Sequence, residues 1–210
     1  MVDVAVVDYG MGNLRSVEQA LRKVAPDAEI VVSDDAGVVA NAGRVVFPGQ
    51  GAMPDCMREL EARGLRDAVL EAARDKPFLG ICIGLQMLFE HSTEGDVAGL
   101  GILRGEVVRF ANNLRDAQGN RLKVPHMGWN QVRHGNHALW DGIDQDARFY
   151  FVHSYYVQPQ DASLVQGTSD YPQPFVCAVA RGNLFAVQFH PEKSQTAGLK
   201  LLQNFMRWNP

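Results

Sequence analysis

Residues 78–90 read FLGICIGLQMLFE. The first five are apolar, as in a short buried strand, and the apolar spacing that follows predicts a helix over 83–90. A similar alternation begins at 2–8, where a β-branched run is broken by glycines and followed by a helical pattern. Strands that alternate with helices predict an α/β fold with a mostly parallel central sheet and helices on both faces.

The segments between these two strands continue the alternation. Apolar residues recur at helical spacing over 14–24, and Pro26 then ends the helix. Further strands are expected at 29–32 and 44–47, and a helical pattern interrupted near Gly64 covers 54–74. The first ninety residues are therefore expected to form strands and helices in turn.

From residue 100 onwards, short strand patterns joined by polar loops replace the alternation. These patterns lie at 107–110, 131–133, 148–152, 164–168, 175–180 and 184–189. An apolar stripe over 196–208 predicts a closing helix. We expect antiparallel strands added to the first sheet, within one domain that spans residues 1–210.

The composition excludes several classes of protein. The chain has 210 residues, of which 46% are hydrophobic and 21% charged, and its net charge of −4 is a poor match for nucleic acid or an anionic membrane. No apolar run approaches the ~20 residues of a membrane span. The first residues include the acidic Asp3 and no basic segment, so we expect no signal peptide. The three cysteines are expected to be reduced thiols, and together these features indicate a cytoplasmic protein.

Gly80-Ile81-Cys82-Ile83-Gly84 is the sharpest local feature. It is the cysteine version of G-x-S-x-G, the sharp strand-to-helix turn that exposes a nucleophile. Glycines suit such a crowded turn, and the start of the helix favours a thiolate on Cys82. The alternative is a glycine-rich strand end with an inert buried cysteine, and these five residues alone leave both interpretations open.

A nucleophile needs a base, and the base needs a group that orients it. His190 closes the predicted strand 184–189, and Pro191 and Glu192 follow it. Residues two apart in an extended chain point to the same face, so the imidazole and the Glu192 carboxylate can lie side by side. Alone, this segment also fits a strand-end turn with a solvated glutamate. Together with Cys82, it favours a Cys-His-Glu triad.

Backbone N–H groups for an oxyanion hole can come from two places. Ile83 is just past the candidate nucleophile, and Gly49-Gln50-Gly51 follows the strand expected at 44–47. Adjacent parallel strands end at the same edge of a sheet, so both places can meet near Cys82. The alternative for 49–51 is an ordinary glycine-rich turn.

The other histidines suggest no metal centre. His134 and His137 lie in the polar stretch RHGNH, but a metal site needs three or four ligands and no cysteine or carboxylate stands close by. His91 follows the predicted helix 83–90 and is expected to be solvated. We expect neither a metal nor another cofactor.

The motifs GICIGLQ and QFHPEKS resemble the nucleophile and base motifs of class I, or triad, glutamine amidotransferases. Over the whole chain the resemblance is to HisH-type glutaminase subunits of imidazole glycerol phosphate synthase. It rests, in this order, on VVDYGMGNLRSV at 6–17, FPGQGAM at 47–53, KVPHMGWN at 123–130, FVHSYY at 151–156 and QFHPEKSQ at 188–195. One departure is Gln50, at a position where the family more often has an aliphatic residue.

The resemblance implies a flavodoxin-like core and a reaction. The Cys82 thiolate attacks the side-chain amide of glutamine, His190 carries a proton to the leaving ammonia and then activates water, and Glu192 orients His190. A γ-glutamyl thioester forms and is hydrolysed to glutamate. The family pattern makes Gln86 a substrate contact, pairs Glu94 with the substrate ammonium, and assigns Ser154 and Tyr155 to the carboxylate end.

The resemblance also implies a partner. Ammonia would pass through an internal tunnel to a cyclase subunit, a HisF-type (βα)8 barrel that makes imidazole glycerol phosphate and an aminoimidazole carboxamide ribonucleotide. Met127, Trp129 and Asn130 would lie at the interface with that subunit. For Trp129 the alternative is a plain core aromatic residue.

Three other functions share these features. A glutaminase subunit of another synthase, such as the one that makes pyridoxal phosphate, would carry the same triad, but PHMGWN argues against it. A stand-alone cysteine hydrolase or peptidase would act without a partner. A non-catalytic module that kept the fold would not need Cys82, His190 and Glu192 together.

Overall fold

The structure is a computed structural model, and it describes residues 2–210. The strands of this part of the chain are β1 (Val4–Val7), β2 (Ile30–Ser33), β3 (Arg44–Gly49), β4 (Phe78–Cys82), β5 (Phe89–Ser92), β6 (Val97–Ala98), β7 (Leu103–Arg109), β8 (His126–His134), β9 (Ala147–His153), β10 (Tyr155–Pro159), β11 (Val165–Asp170), β12 (Pro174–Arg181) and β13 (Leu184–Val187). The helices are α1 (Leu14–Val24), α2 (Ala36–Asn41), α3 (Met53–Ala62), α4 (Arg66–Asp75), α5 (Ile83–Gln86) and α6 (Gln195–Arg207), with 3-10 turns at Ala138–Trp140, Ala162–Leu164 and Pro191–Lys193.

The sheet has a parallel half and a largely antiparallel half. The parallel half has the order β2-β1-β3-β4-β13, and every neighbouring pair in it is parallel. The sheet continues through β12, β10, β7, β5 and β6, with β11, β8 and β9 on a branch. The α/β fold class with added antiparallel strands, expected from the sequence, is confirmed.

Helices cover the parallel half in two groups. The connection from β1 to β2 runs across the sheet in one direction, and the connections from β2 to β3 and from β3 to β4 run in the opposite direction. Because crossover connections between parallel strands are right-handed, helices in connections of opposite direction lie on opposite faces of the sheet. Accordingly α1 contacts α6, whereas α2 contacts α4. Covered on both sides, β1, β4 and β13 are buried along their whole length.

Several details differ from the sequence-based expectation, among them the strands β6 and β10, which were not predicted. The helix expected over 83–90 ends at Gln86, because the chain then forms β5, which pairs with β6 and β7. The last strand, β13, is not a simple antiparallel addition, since it is antiparallel to β12 but parallel to β4. Helix α2 carries too little apolar periodicity to be noticed, and Asp35 caps its first turn.

The described residues include no helix that is both long and apolar enough to cross a membrane.

Candidate active site

Three neighbouring parallel strands bring the candidate residues to one edge of the sheet. Gly49 at the end of β3 pairs with Cys82 at the end of β4, and Ile81 pairs with Val187 at the end of β13. His190 lies three residues beyond that last strand. The carboxyl ends of parallel strands are where open α/β sheets form their sites.

Cys82 lies on a strained turn. Its backbone has φ 57° and ψ −111°, in the left-handed half of conformational space that residues with a side chain rarely enter. A Cβ on Gly84 would collide with the carbonyl oxygen of Phe47, and one on Gly80 would lie 2.9 Å from the Cβ of Ala186. The glycines on either side of Cys82 are therefore required by packing, as expected for a nucleophile turn.

His190 and Glu192 form a buried pair. Nδ1 of His190 lies 2.9 Å from Oε1 of Glu192, and the two side chains are only 4% and 1% exposed. The 3-10 turn Pro191–Lys193 follows His190, and the Ser194 hydroxyl donates to the His190 carbonyl at 2.6 Å. These bonds fix the ring, while its buried Nε2 has no hydrogen-bond partner in the structure.

The charge of His190 follows from its neighbours. Burial lowers the pKa of His190, but the adjacent Cys82 and Glu192 outweigh burial and raise this pKa to about 10. The imidazole is therefore positively charged at neutral pH and carries a proton on each ring nitrogen. The proton on Nδ1 is directed at Glu192. A protonated imidazole beside a cysteine is the arrangement that stabilises a thiolate nucleophile.

A cleft of about 300 Å³ opens in front of Cys82 and His190. This volume suits a small ligand. The cleft is lined by Gln50, Gly51, Cys82, Ile83, Gln86, Glu94, Pro125, Val152, His153, Ser154, Tyr155 and His190. The fold thus brings together the predicted nucleophile, the base and all four predicted substrate contacts.

Two of these substrate candidates have fixed orientations. Gln86 donates both amide hydrogens, to the Tyr155 carbonyl at 3.1 Å and to Oε1 of Gln188 at 3.0 Å. Its own Oε1 is buried and has no hydrogen-bond partner in the structure. Oε2 of Glu94 accepts a hydrogen bond from the backbone N–H of Met53 at 2.9 Å, which fixes that carboxylate at the cleft.

The predicted oxyanion residues lie on both sides of Cys82. Gln50, Gly51 and Ile83 line the cleft, whereas Gly49 lies behind them, where a Cβ would collide with the Tyr9 hydroxyl. The Gln50 carbonyl accepts a hydrogen bond from the Cys56 thiol, with 3.6 Å between the heavy atoms. Burial raises the pKa of this thiol to about 11, so it stays protonated as a donor.

Three buried polar residues of the site were not predicted: Gln188, His153 and His126. Gln188 donates through Nε2 to the Cys82 sulphur at 3.7 Å. Its position two residues before His190 was the available signal, since alternate residues of an extended segment share a face. His153 lines the cleft, and His126 contacts it at 2.9 Å.

The predicted interface residues lie on β8. Met127 and Trp129 are 63% and 44% exposed, unusually high fractions for large hydrophobic side chains. Trp129 is therefore not a core residue. Asn130 is half-buried and donates to the Asp170 carbonyl and to His126.

The histidines of RHGNH have structural roles. His134 stacks on Trp140 and contacts the Ile143 carbonyl, and His137 accepts a hydrogen bond from the Leu139 N–H. His91 lies in β5 and contacts Asp96 at 2.9 Å. Within residues 2–210, no three His, Cys, Asp or Glu side chains are grouped as metal ligands.

Comparison with known proteins identifies the family of the chain. The model of the family described as glutamine amidotransferase class-I matches residues 5–208. The chain is 66% identical to the imidazole glycerol phosphate synthase subunit HisH of Thiobacillus denitrificans, covering 100% of this chain and 92% of that protein. It is 64% identical to the same subunit of Dechloromonas aromatica, covering 99% and 97%.

Solved structures support the fold. A crystal structure of a glutamine amidotransferase matches with a TM-score of 0.73 at 18% identity, covering 98% of this chain and 97% of that one. A glutamine amidotransferase from Thermotoga maritima matches with a TM-score of 0.60 at 17% identity, covering 90% and 75%. The chain therefore belongs to the class-I glutamine amidotransferase family and, within it, to the HisH subunits of imidazole glycerol phosphate synthase.

Proposed function

We propose that this chain is a glutaminase that hydrolyses L-glutamine through Cys82, His190 and Glu192 and delivers the ammonia to a cyclase subunit in histidine biosynthesis. The observation that carries the proposal is the buried His190–Glu192 pair, which lies with the strained Cys82 turn at one small cleft. The family model spans almost the whole chain and supports a single glutaminase domain over residues 1–210.

The reaction follows from these positions. The Cys82 thiolate attacks the side-chain amide carbon of glutamine, and the proton held by His190 goes to the departing nitrogen as the C–N bond breaks. Ammonia leaves and a γ-glutamyl thioester remains. His190 then accepts a proton from water, and the resulting hydroxide attacks the thioester carbon. The C–S bond breaks, which restores the Cys82 thiolate and the protonated His190, and the remaining proton of the new carboxyl group goes to solvent as glutamate is released. Glu192 keeps His190 in one orientation and stabilises its charged form.

The remaining cleft residues would bind the substrate and the transition state. The N–H groups of Ile83 and of the segment Gly49-Gln50-Gly51 would stabilise the negative charge that develops on the amide oxygen. The carboxylate of Glu94 is an acceptor suited to the ammonium group of glutamine, and Gln86, which also lines the cleft, would contact the substrate. Ser154 and Tyr155 would position its carboxylate.

The exposed pair Met127 and Trp129 supports a partner surface on β8. Large hydrophobic side chains exposed next to one another are typical of protein–protein contacts. We propose that they and Asn130 contact the cyclase subunit, a HisF-type (βα)8 barrel. Direct transfer to that subunit would keep the ammonia unprotonated, because free ammonia at neutral pH is mostly ammonium. The three free thiols suit a cytoplasmic complex.

The test is reconstitution with the cyclase subunit. Co-purification followed by a glutaminase assay, with and without the nucleotide substrate, measures both partner binding and activity. Glutamine labelled with ¹⁵N in its side-chain amide should label the imidazole product even in excess unlabelled ammonium. An unlabelled product would contradict delivery of ammonia between the subunits, and an inactive complex would contradict the glutaminase itself.

A further inference from the structure

A chain of hydrogen bonds runs inward from Asn130 on the exposed strand β8. Nδ2 of Asn130 lies 3.2 Å from Nε2 of His126, and Nδ1 of His126 lies 2.9 Å from Nε2 of His153. Nδ1 of His153 lies 2.8 Å from the Tyr155 carbonyl oxygen. Four residues thus connect the surface to the cleft.

The hydrogen bonds of Asn130, at the outer end of this series, can run in only one direction. Oδ1 of Asn130 accepts from the backbone N–H of Gln131 at 2.8 Å, and Nδ2 donates to the backbone carbonyl of Asp170 at 2.9 Å. A backbone N–H can only donate and a carbonyl can only accept, so the amide of Asn130 cannot be flipped. Nδ2 therefore presents its second hydrogen to His126.

The Tyr155 carbonyl, at the inner end of this series, requires the same direction of hydrogen bonding. A neutral histidine has one donor and one acceptor nitrogen, so His126 accepts at Nε2 and must donate from Nδ1. His153 then accepts at Nε2 and donates from Nδ1 to the carbonyl of Tyr155. The backbone groups at both ends thus require the same pair of tautomers.

Burial holds both rings neutral. His126 and His153 are 4% and 6% exposed, and His126 stacks on Tyr171 with 4.1 Å between ring centroids. Desolvation lowers the pKa of His126 to about 4. Desolvation also lowers that of His153 to about 3, with His126 and His190 adding to the effect and the Tyr155 carbonyl opposing it.

Further hydrogen bonds connect the Tyr155 carbonyl to the candidate nucleophile, Cys82. The same oxygen accepts from Gln86 at 3.1 Å, and this contact turns the Gln86 amide so that its second hydrogen reaches Oε1 of Gln188. Nε2 of Gln188 then donates to the Cys82 sulphur at 3.7 Å. One backbone oxygen therefore joins the histidine pair to Gln86 and, through Gln86, to Gln188.

We infer that Asn130, His126 and His153 are positioning residues for the glutamine site, which act as a one-directional relay that orients the Tyr155 carbonyl and Gln86. This inference rests on the proposed function, and it adds a physical route by which contact at β8 changes the geometry around Cys82. It assigns to Asn130 a role inside this chain in addition to any contact with a partner.

The kinetic test uses the complex with the cyclase subunit and its nucleotide, with the cyclase in saturating excess so that weaker partner binding by a variant does not enter. Asn130→Ala removes the donor from a half-buried surface position without opening the core, and Gln131→Ala on the same strand is the matched control. We expect Asn130→Ala to raise the KM for glutamine about fivefold to tenfold, close to the loss of one hydrogen bond, and Gln131→Ala to leave it unchanged.

A double-mutant cycle separates a relay from two local effects. His153→Asn keeps a donor near the Tyr155 carbonyl, since an asparagine Nδ2 occupies the place of histidine Nδ1, but it cannot reach His126. Asn130→Ala should therefore have no further effect on KM in the His153→Asn background. Equal effects of Asn130→Ala in both backgrounds, or an unchanged KM in the single variant, would overturn the inference.

A second readout does not depend on glutamine hydrolysis. Long-range ¹H–¹⁵N spectra of the full chain should show His126 and His153 as neutral Nδ1–H tautomers, with an altered His126 signal in Asn130→Ala. An Nε2–H tautomer for either ring would overturn the relay even in an active enzyme. If the tautomers are as expected but the wild-type complex hydrolyses no glutamine, it is the proposed function that fails.

Discussion

Nε2 of Gln188 donates a hydrogen bond to the sulphur of Cys82 across 3.7 Å, and both side chains are buried. The direction of this bond is set elsewhere, because Oε1 of Gln188 is already occupied by the amide of Gln86. The sulphur of Cys82 therefore has an N–H donor directed at it, in addition to the adjacent His190 ring. This donor points at the atom that carries negative charge when a cysteine acts as a nucleophile.

Replacing Gln188 should reduce the rate rather than the affinity for glutamine. Gln188→Leu removes the donor to the thiolate, and we expect kcat to fall about tenfold, as for one lost hydrogen bond to a charged group. Gln188→Glu should be worse, because it places a second negative charge beside the sulphur. Steady-state kinetics with the cyclase subunit present decide this, and a wild-type kcat in Gln188→Leu would contradict the role.

His190 and Glu192 should contribute unequally. His190→Ala removes both the proton carrier and the base, so we expect a loss in kcat of about 10⁶-fold. Glu192→Ala removes only orientation and charge stabilisation, and we expect a smaller loss of about 10⁴-fold. Rates of the two single variants test this, and a Glu192→Ala enzyme as fast as wild type would reduce the triad to a dyad.

The turn at Cys82 predicts a contrast between two glycine variants. A Cβ on Gly84 collides with the carbonyl of Phe47 in the core, so Gly84→Ala should lower the free energy of unfolding by at least about 3 kcal/mol. Gly101, unlike Gly84, has a positive φ of 67°, but nothing lies within 4 Å of its Cβ position. Gly101→Ala should cost only about 1 kcal/mol in denaturant unfolding. Similar losses in the two variants would contradict the packing argument.

The buried histidines predict loss of stability in acid. The folded chain keeps His126 and His153 neutral below their ordinary pKa of 6.5, whereas the unfolded chain protonates them. The free energy of unfolding should therefore fall as the pH drops from about 6.5 towards 4, by on the order of 2 kcal/mol per ring. His190 does not mask this, since its raised pKa contributes stability that is fully present over the same range.

His126→Phe is the control for that prediction. Phenylalanine keeps the stacking on Tyr171 but cannot take up a proton. Urea midpoints measured between pH 4 and 7 should vary less steeply in the variant than in the wild type, even if the variant is less stable throughout. Parallel curves for the two proteins would show that His126 does not contribute to the acid sensitivity.

The sequence was most informative where local chemistry sets local structure. The parallel half of the sheet follows from buried apolar runs. The turn at Cys82 follows from glycines at positions where the backbone packs too closely for a side chain. Their shared edge could be inferred, because adjacent parallel strands end together. The end of α5 at Gln86 could not, since the apolar residues that follow are buried equally well in a helix or a strand and pairing with β7 decides the outcome.

The polar network around the site could not be predicted from the sequence, for a different reason. Its contacts join residues far apart in the chain, as in the bond between Gln86 and Gln188, which are separated by 102 positions. Nothing local marks His153 as a neighbour of His126, because the pairing of β8 with β9 sets this contact. Only the register of these strands turns scattered polar residues into one connected network.

The central claim is that Cys82 is the nucleophile of a glutaminase. The most direct measurement is glutamate formation by the complex with the cyclase subunit and its nucleotide, for wild type and Cys82→Ala. We predict a loss of more than about 10⁴-fold in the variant, which should still fold, bind the cyclase and support product formation from added ammonia at high pH. Glutamate formation by Cys82→Ala at a rate near that of the wild type would contradict the account.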